Sequence, residues 1–191
     1  MPEGTLLLVP TELERRALFG DHPLPNVRLC GFGLAEAGAR AGHAIATFGP
    51  PPTAVVLVGI AGTFDADRFP PGSAVVGGSI RLEGIGAGGQ TPSGLGFADS
   101  DLLPLDGRGP EILSVAEASA DADQAGSRHA RFPAAAIEEM EGYAVAVAAA
   151  AFGVPLRVIR GVSNLAGDRD HDHWQVAQGL RAAAAALEAL P

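Results

Sequence analysis

Apolar residues along the chain come in short runs, each closed by glycine, proline or polar residues. The runs at 5–9, 27–32, 54–60, 73–80, 111–115 and 156–162 are rich in β-branched residues and predict strands. Most are apolar at successive positions, as in a sheet covered on both faces, rather than alternating as a half-exposed sheet would. Helices are predicted at 11–19, 34–47, 134–152 and 174–190, the first opening on a Thr11-x-x-Glu14 capping box. This alternation predicts an α/β fold in three layers. Two tracts depart from it. Residues 84–109, rich in Gly, Pro and Asp, predict a long loop that is either functional or disordered. The alanine-rich end, 181–190, is helical by propensity.

Composition narrows the picture. The chain has 191 residues, 47% of them hydrophobic and 18% charged, which excludes a mostly disordered chain and suits one domain spanning 1–191. No apolar stretch approaches the ~20 residues that a membrane span needs. The first apolar run lacks the basic segment that precedes it in a signal peptide, so the expected location is the cytoplasm, with no membrane partner. Thirteen basic residues, all arginine, stand against 22 acidic ones, a net charge of -9 that would repel a phosphate backbone and excludes nucleic acid as an expected partner. Cys30 is the only cysteine, so neither an intrachain disulfide nor a thiolate metal cluster is expected.

Candidate chemistry gathers where strands end. Glu12 and Glu14 follow the first strand, at the edge where open α/β sheets bind ligands. One of them can serve as a general base, or both are first-turn carboxylates favoured by the helix dipole. Gly31-Phe32-Gly33 lacks the third glycine of a dinucleotide fingerprint and reads as a strand-to-helix turn. Ile60, Ala61 and Gly62 form a second such turn whose backbone amides suit close approach to a ligand. Glu138, Glu139 and Glu141 open a very apolar predicted helix; a carboxylate there needs a partner, and a sugar diol with two O–H donors suits Glu141. Otherwise the three simply cap an exposed helix start. Asn164 offers a donor and an acceptor on one edge, matching a heterocycle with a carbonyl beside a ring nitrogen, or it forms an ordinary Asx turn. Asp168, Asp170, His171, Asp172 and His173 have the composition of a metal site, but successive residues do not converge, and a solvated helix start is the expected reading.

Taken in order, the segments PTELE, GIAG, MEG and RGVSN resemble the purine nucleoside phosphorylase and methylthioadenosine nucleosidase superfamily, its futalosine hydrolases in particular. The resemblance runs from Thr5 to about Leu187 and is strongest between Phe132 and Trp174. It implies a mixed-sheet α/β/α nucleoside-binding fold and a homo-oligomer, a dimer above all. Phosphorylases of the superfamily hold phosphate with arginines after the first strand and beside the central glycine turn. Here those places read Pro10-Thr11-Glu12-Leu13-Glu14 and Leu57 through Gly62, so hydrolysis is implied. Methylthioadenosine-type nucleosidases carry aspartate where this chain has Asn164, whereas asparagine suits a 6-oxopurine.

What the resemblance implies for the site is specific. Glu14 would take a proton from the attacking water, and Asn164 would hold the departing base. Glu141 would bind the ribose hydroxyls with Met140 against the sugar, and Ile60, Ala61 and Gly62 would line the ligand. Ser163 and Arg160 would orient these groups, Arg160 as the ion partner of a buried carboxylate. A purine nucleoside and water are the implied partners, with no organic cofactor and no metal. Residues 115–120 lack the aromatic that methylthioadenosine nucleosidases stack on the purine. Arg81, Arg169 and the 84–97 tract are candidates for holding a carboxyphenyl group on the 5′ side. Two alternatives stay open: a nucleosidase or phosphorylase for another purine nucleoside, and a non-catalytic nucleoside-binding protein.

Overall fold

The structure, a computed structural model, describes residues 3–22 and 24–190. Its centre is β3 (Ala54–Thr63), flanked by β1 (Thr5–Val9) in parallel over Thr5 to Leu8 and by β9 (Leu156–Leu165) in parallel along its whole length. Beyond the β1 pairing, Gly62 and Thr63 pair antiparallel with β8 (Ala135–Glu139), so β3 exchanges one neighbour for another along the same edge. The sheet continues outward from β1 to β2 (Val27–Leu29), and from β8 through β7 (Glu111–Ser114) and β5 (Ser79–Leu82) to the two-residue β6 (Leu103–Pro104). Antiparallel β4 (Ala74–Val76) covers the outer edge of β9. The result is a mixed, curled sheet.

Successive side chains on a strand point to opposite faces, and the core divides accordingly. Leu6, Leu8, Val55, Leu57 and Val158 face α2 (Leu34–Thr47) and α4 (Gly142–Ala151), which pack together through Ala37, Ala41, Ala146 and Ala149. Leu7, Val9, Val56, Val58 and Ile159 face α5 (Val176–Glu188), with α1 (Glu12–Phe19) alongside. The three-layer α/β/α reading therefore holds. Small residues set the layer spacing: a Cβ on Gly161 would collide with the carbonyl of Gly179, so α5 lies backbone to backbone on β9.

Four elements differ from expectation. The predicted helix at 134–152 is a strand, β8, followed by a bend and α4; Ala and Glu favour helix in isolation, but all five β8 residues are buried and four of them pair in register with β7 or β3. The predicted strand at 73–80 breaks into β4 and β5 at Gly77 and Gly78, where a Cβ on Gly78 would strike Gly109. Residues 84–109, the predicted loop, are turns apart from the two-residue β6, held in part by Asp101 accepting from the amide and hydroxyl of Ser93 at 2.9 and 2.7 Å. An unpredicted helix, α3 (Ala122–Arg131), is capped by Asp121 accepting from Gln124 N–H at 2.8 Å.

Candidate active site

The capping box of α1 places the first carboxylate. Thr11 Oγ1 accepts from Glu14 N–H at 3.3 Å while Glu14 Oε2 accepts from Thr11 N–H at 3.0 Å, so the side chain folds back toward the strand end. Its other oxygen, Oε1, accepts from Ile60 N–H at 2.9 Å, across to β3. Glu14 is thereby buried, whereas Glu12, on the outer side of the same turn, pairs with Arg15 and Arg16 in solvent. Those two bonds hold the Glu12 carboxyl down at about 2.

Glu141 arrives from the bend between β8 and α4. Its Oε1 accepts from Gly33 N–H at 3.0 Å and its Oε2 from Arg160 at 3.1 Å. The Gly31-Phe32-Gly33 turn thus contributes a backbone donor, which Gly33 supplies at φ +77°, a conformation open to glycine. Burial raises the Glu141 pKa, opposed by Arg160 and reinforced by Glu139.

Between these carboxylates lies Arg160, wholly buried on β9. One guanidinium nitrogen donates to Glu139 and Glu141, while Nε and NH1 have no protein partner. Burial works against its charge, but Glu139, Glu141 and Glu14 outweigh that penalty and raise its pKa. Gly59 allows the convergence: a Cβ there would clash with Arg160 NH1 and lie 2.7 Å from Glu14 Oε1. Glu14 Oε1 and the unpartnered NH1 therefore meet over one glycine. Glu139 is fixed in turn by the Ser114 hydroxyl and accepts from Glu141 N–H at 3.0 Å and Gly142 N–H at 2.7 Å, holding the first turn of α4 in place of a side-chain cap.

Beside this cluster, β9 carries an extra residue. Ala61 pairs with Val162 but Gly62 with Asn164, leaving Ser163 as a bulge. Bulges re-aim side chains next to strand ends. Ser163 Oγ lies 3.1 Å from the Ala61 carbonyl and 2.7 Å from Asn164 Oδ1. Asn164 Nδ2 donates to the carbonyls of Leu165 and Asp168 at 2.8 and 3.3 Å, and two acceptors there fix the orientation of the amide. A Cβ on Gly62 would sit 3.6 Å from Nδ2.

The structure thus brings Glu14, Ile60, Arg160 and Glu141 into one cluster, with Ala61, Gly62, Ser163 and Asn164 adjoining. Met140, next to Glu141 in sequence, packs against the apolar cluster of Leu113, Val115 and Ala135. The three glutamates do not cap an exposed helix: Glu138, Glu139 and Glu141 are all buried, the first two within β8. Ser114, Glu139, Gly33 and Gly59 were not singled out from the sequence as site residues. Asp170 caps a single 3-10 turn, and His173 reaches Asp168 at 3.1 Å; among the described residues no group of three or more acidic, His or Cys side chains is arranged to hold a metal. Arg81 is committed to Glu111 at 2.7 Å, and Arg169 lies over the Trp174 ring at 4.8 Å. A depression lined by Val76, Leu105, Arg108, Arg157 and Leu190 lies elsewhere and contains none of these groups. Among the described residues no helix is long and apolar enough to cross a membrane.

Buried carboxylates thus surround one arginine at the strand ends of a mixed three-layer sheet. Residues 111–190 match the family model of the phosphorylase superfamily. The chain is 34% identical over 184 residues to the futalosine hydrolase of Streptomyces coelicolor, covering 84% of this chain and 77% of that protein. Two solved structures share the fold. The native futalosine hydrolase of Helicobacter pylori strain 26695 superposes with a TM-score of 0.78 at 17% identity, covering 96% of this chain and 95% of that one. The 5′-methylthioadenosine/S-adenosylhomocysteine nucleosidase of Colwellia psychrerythraea superposes with a TM-score of 0.75 at 20% identity, covering 94% and 90%. The chain belongs to the phosphorylase superfamily. Within it the chain is an N-glycosyl hydrolase acting on a purine nucleoside.

Proposed function

We propose that the chain, as one nucleoside hydrolase domain, cleaves the N-glycosidic bond of futalosine, releasing hypoxanthine and dehypoxanthine futalosine in the futalosine route to menaquinone. The observation that carries the reading is the convergence of Glu14 Oε1 and Arg160 NH1 over Gly59, beside Glu141. Three carboxylates face a single guanidinium in this cluster, a field that repels a phosphate dianion and favours a developing cation. Water is the co-substrate that such a field admits.

The bond between N9 and C1′ breaks through an oxocarbenium-like transition state, as in glycoside hydrolysis. Glu14 takes a proton from water as the oxygen bonds to C1′; its backbone donors hold one face of the carboxylate in place. Glu141 binds the ribose hydroxyls through lone pairs left over from Gly33 and Arg160, and its charge lies near the cation. The electrons of the broken bond go to the base, which takes a proton from solvent to become hypoxanthine, while Glu14 returns the proton it took to solvent. Asn164 meets that charge by turning its amide from the Asp168 carbonyl toward O6 and N7, with Ser163 as its pivot. Met140 packs beneath the sugar.

Two sources support futalosine over other nucleosides: the curated relative of that name, and an amide in place of an acid at position 164. The reading is tested by comparing futalosine, its 6-amino counterpart, inosine and 5′-methylthioadenosine as substrates. The highest kcat/KM is expected on futalosine, and preference for a 6-amino nucleoside would contradict the assignment. Asn164→Asp is expected to lower kcat/KM on futalosine by about 10²-fold, the cost of losing one aligned donor; unchanged activity would remove Asn164 from base recognition.

A further inference from the structure

A second buried ion assembly lies on the face of β8 opposite Glu139, and none of its groups enters the reaction. Glu138 Oε1 accepts from Ser119 N–H at 3.0 Å, and its Oε2 accepts from the Ser119 hydroxyl at 2.7 Å and from Arg128 NH1 at 2.8 Å. Arg128 also donates to Ser119 Oγ at 2.6 Å, to the carbonyl of Glu117 at 3.2 Å, and through Nε to Glu83. Every arm of this guanidinium is engaged, and two of its four bonds end on the loop of residues 115–120.

That loop is tied on its far side to the segment that follows Asn164. Arg169 NH1 donates to the carbonyl of Ser119 at 3.4 Å. Gly167, at φ +84°, passes so close to the carbonyl of Asp121 that no Cβ fits. Within the segment, Asn164 and Trp174 both donate to the carbonyl of Asp168, at 3.3 and 3.0 Å. Contacts thus run from Glu138 through Ser119 to Arg169, the chain neighbour of Asp168, whose carbonyl meets Asn164. A buried ion pair is seldom needed for stability, since apolar residues of similar volume often serve as well. Directional bonds to loop backbone are something an apolar pair cannot supply.

We propose that Arg128 and Glu138 are positioning residues for the leaving base: through Ser119 they fix the 115–120 loop, and through Arg169 and Gly167 that loop fixes the segment bearing Asn164. The inference rests on Asn164 holding the base. Neither residue touches substrate, so their effect falls on the base side of the site and spares the sugar side, where Glu14, Arg160 and Glu141 are held by other bonds.

The test uses Glu138→Gln and Ser119→Ala in the full chain. Ser119→Ala keeps the ion pair and so remains informative if loss of a buried charge prevents folding. Inhibition by hypoxanthine and by a base-free iminosugar mimic of ribose is measured alongside hydrogen exchange of residues 164–174. The hypoxanthine inhibition constant is expected to rise about tenfold, the value of roughly one hydrogen bond. The iminosugar constant should stay within about twofold, and exchange across 164–174 should accelerate while residues 34–47 keep wild-type protection. Equal weakening of both ligands would show a merely structural role and overturn the proposal, as would unaltered exchange in 164–174. If the wild type releases hypoxanthine from no nucleoside, the functional reading fails by itself, and the exchange comparison alone decides whether the pair positions that segment.

Discussion

Arg160 and Arg128 are both buried among glutamates, yet they are used in opposite ways. Arg128 engages all three of its side-chain nitrogens with protein: Glu83, Glu138, Ser119 and the Glu117 carbonyl. Arg160 engages one nitrogen and leaves Nε and NH1 without a protein partner, next to Glu14. Hydrogen-bonding capacity that a fold buries and does not consume carries a desolvation cost, and such costs gather where chemistry is done. On the proposed reading, Arg128 organises its surroundings and Arg160 faces the ligand.

Substitutions sharpen that contrast in order of expected effect. Glu14→Gln keeps the shape and removes the base, so kcat on futalosine should fall by about 10²–10⁴ with ligand binding retained. Steady-state kinetics with a direct binding titration checks this, and parallel loss of rate and affinity would refute the role. Arg160→Met strands Glu139 and Glu141 in the interior and should cost about 3–5 kcal/mol in urea unfolding, together with activity.

Acidification offers a gentler probe. Burial raises the Glu141 pKa, so this group keeps its proton at a pH where an exposed glutamate has lost it. If the ionised form binds ribose, kcat/KM declines on the acid side at a pH above the ordinary glutamate range, and the decline disappears in Glu141→Gln. A pH profile that stays flat down to that ordinary range would contradict the assignment. Least affected should be Glu12→Gln, which touches only the exposed set formed with Arg15 and Arg16; kcat and KM should match wild type. A large loss there would mean that the wrong glutamate of the Thr11 turn has been given the role of base.

The sequence made some of this legible and hid the rest for physical reasons. β1, β3 and β9 announce themselves because burial on both faces demands unbroken apolar runs, as in Leu6 to Val9 and Val55 to Val58. β8 does not, because Ala135-Ala136-Ile137-Glu138-Glu139 is built of helix formers and its two glutamates are tolerated inside through partners outside the strand, Arg128 and Ser119 for Glu138 and Arg160 and Ser114 for Glu139. α3 buries little more than Ala125 and Arg128, so its apolar stripe is too thin to read, although Asp121 and Gln124 carry a capping signal. At the site, position offered both Glu12 and Glu14 and the family resemblance singled out Glu14, while Glu141 was legible through the motif around it. Glu139 and Ser114 were not, since their roles come from pairing across β7, β8 and β9. Gly59 looked like part of a turn, and in the structure it lies against both Glu14 and Arg160.

The central claim is hydrolysis by water held at Glu14, and the most direct measurement is the fate of the water oxygen. Futalosine incubated with the protein in ¹⁸O-enriched water without phosphate should release hypoxanthine and leave ¹⁸O on C1′ of the sugar product. No release until phosphate is added, with a sugar 1-phosphate as product, would contradict the account.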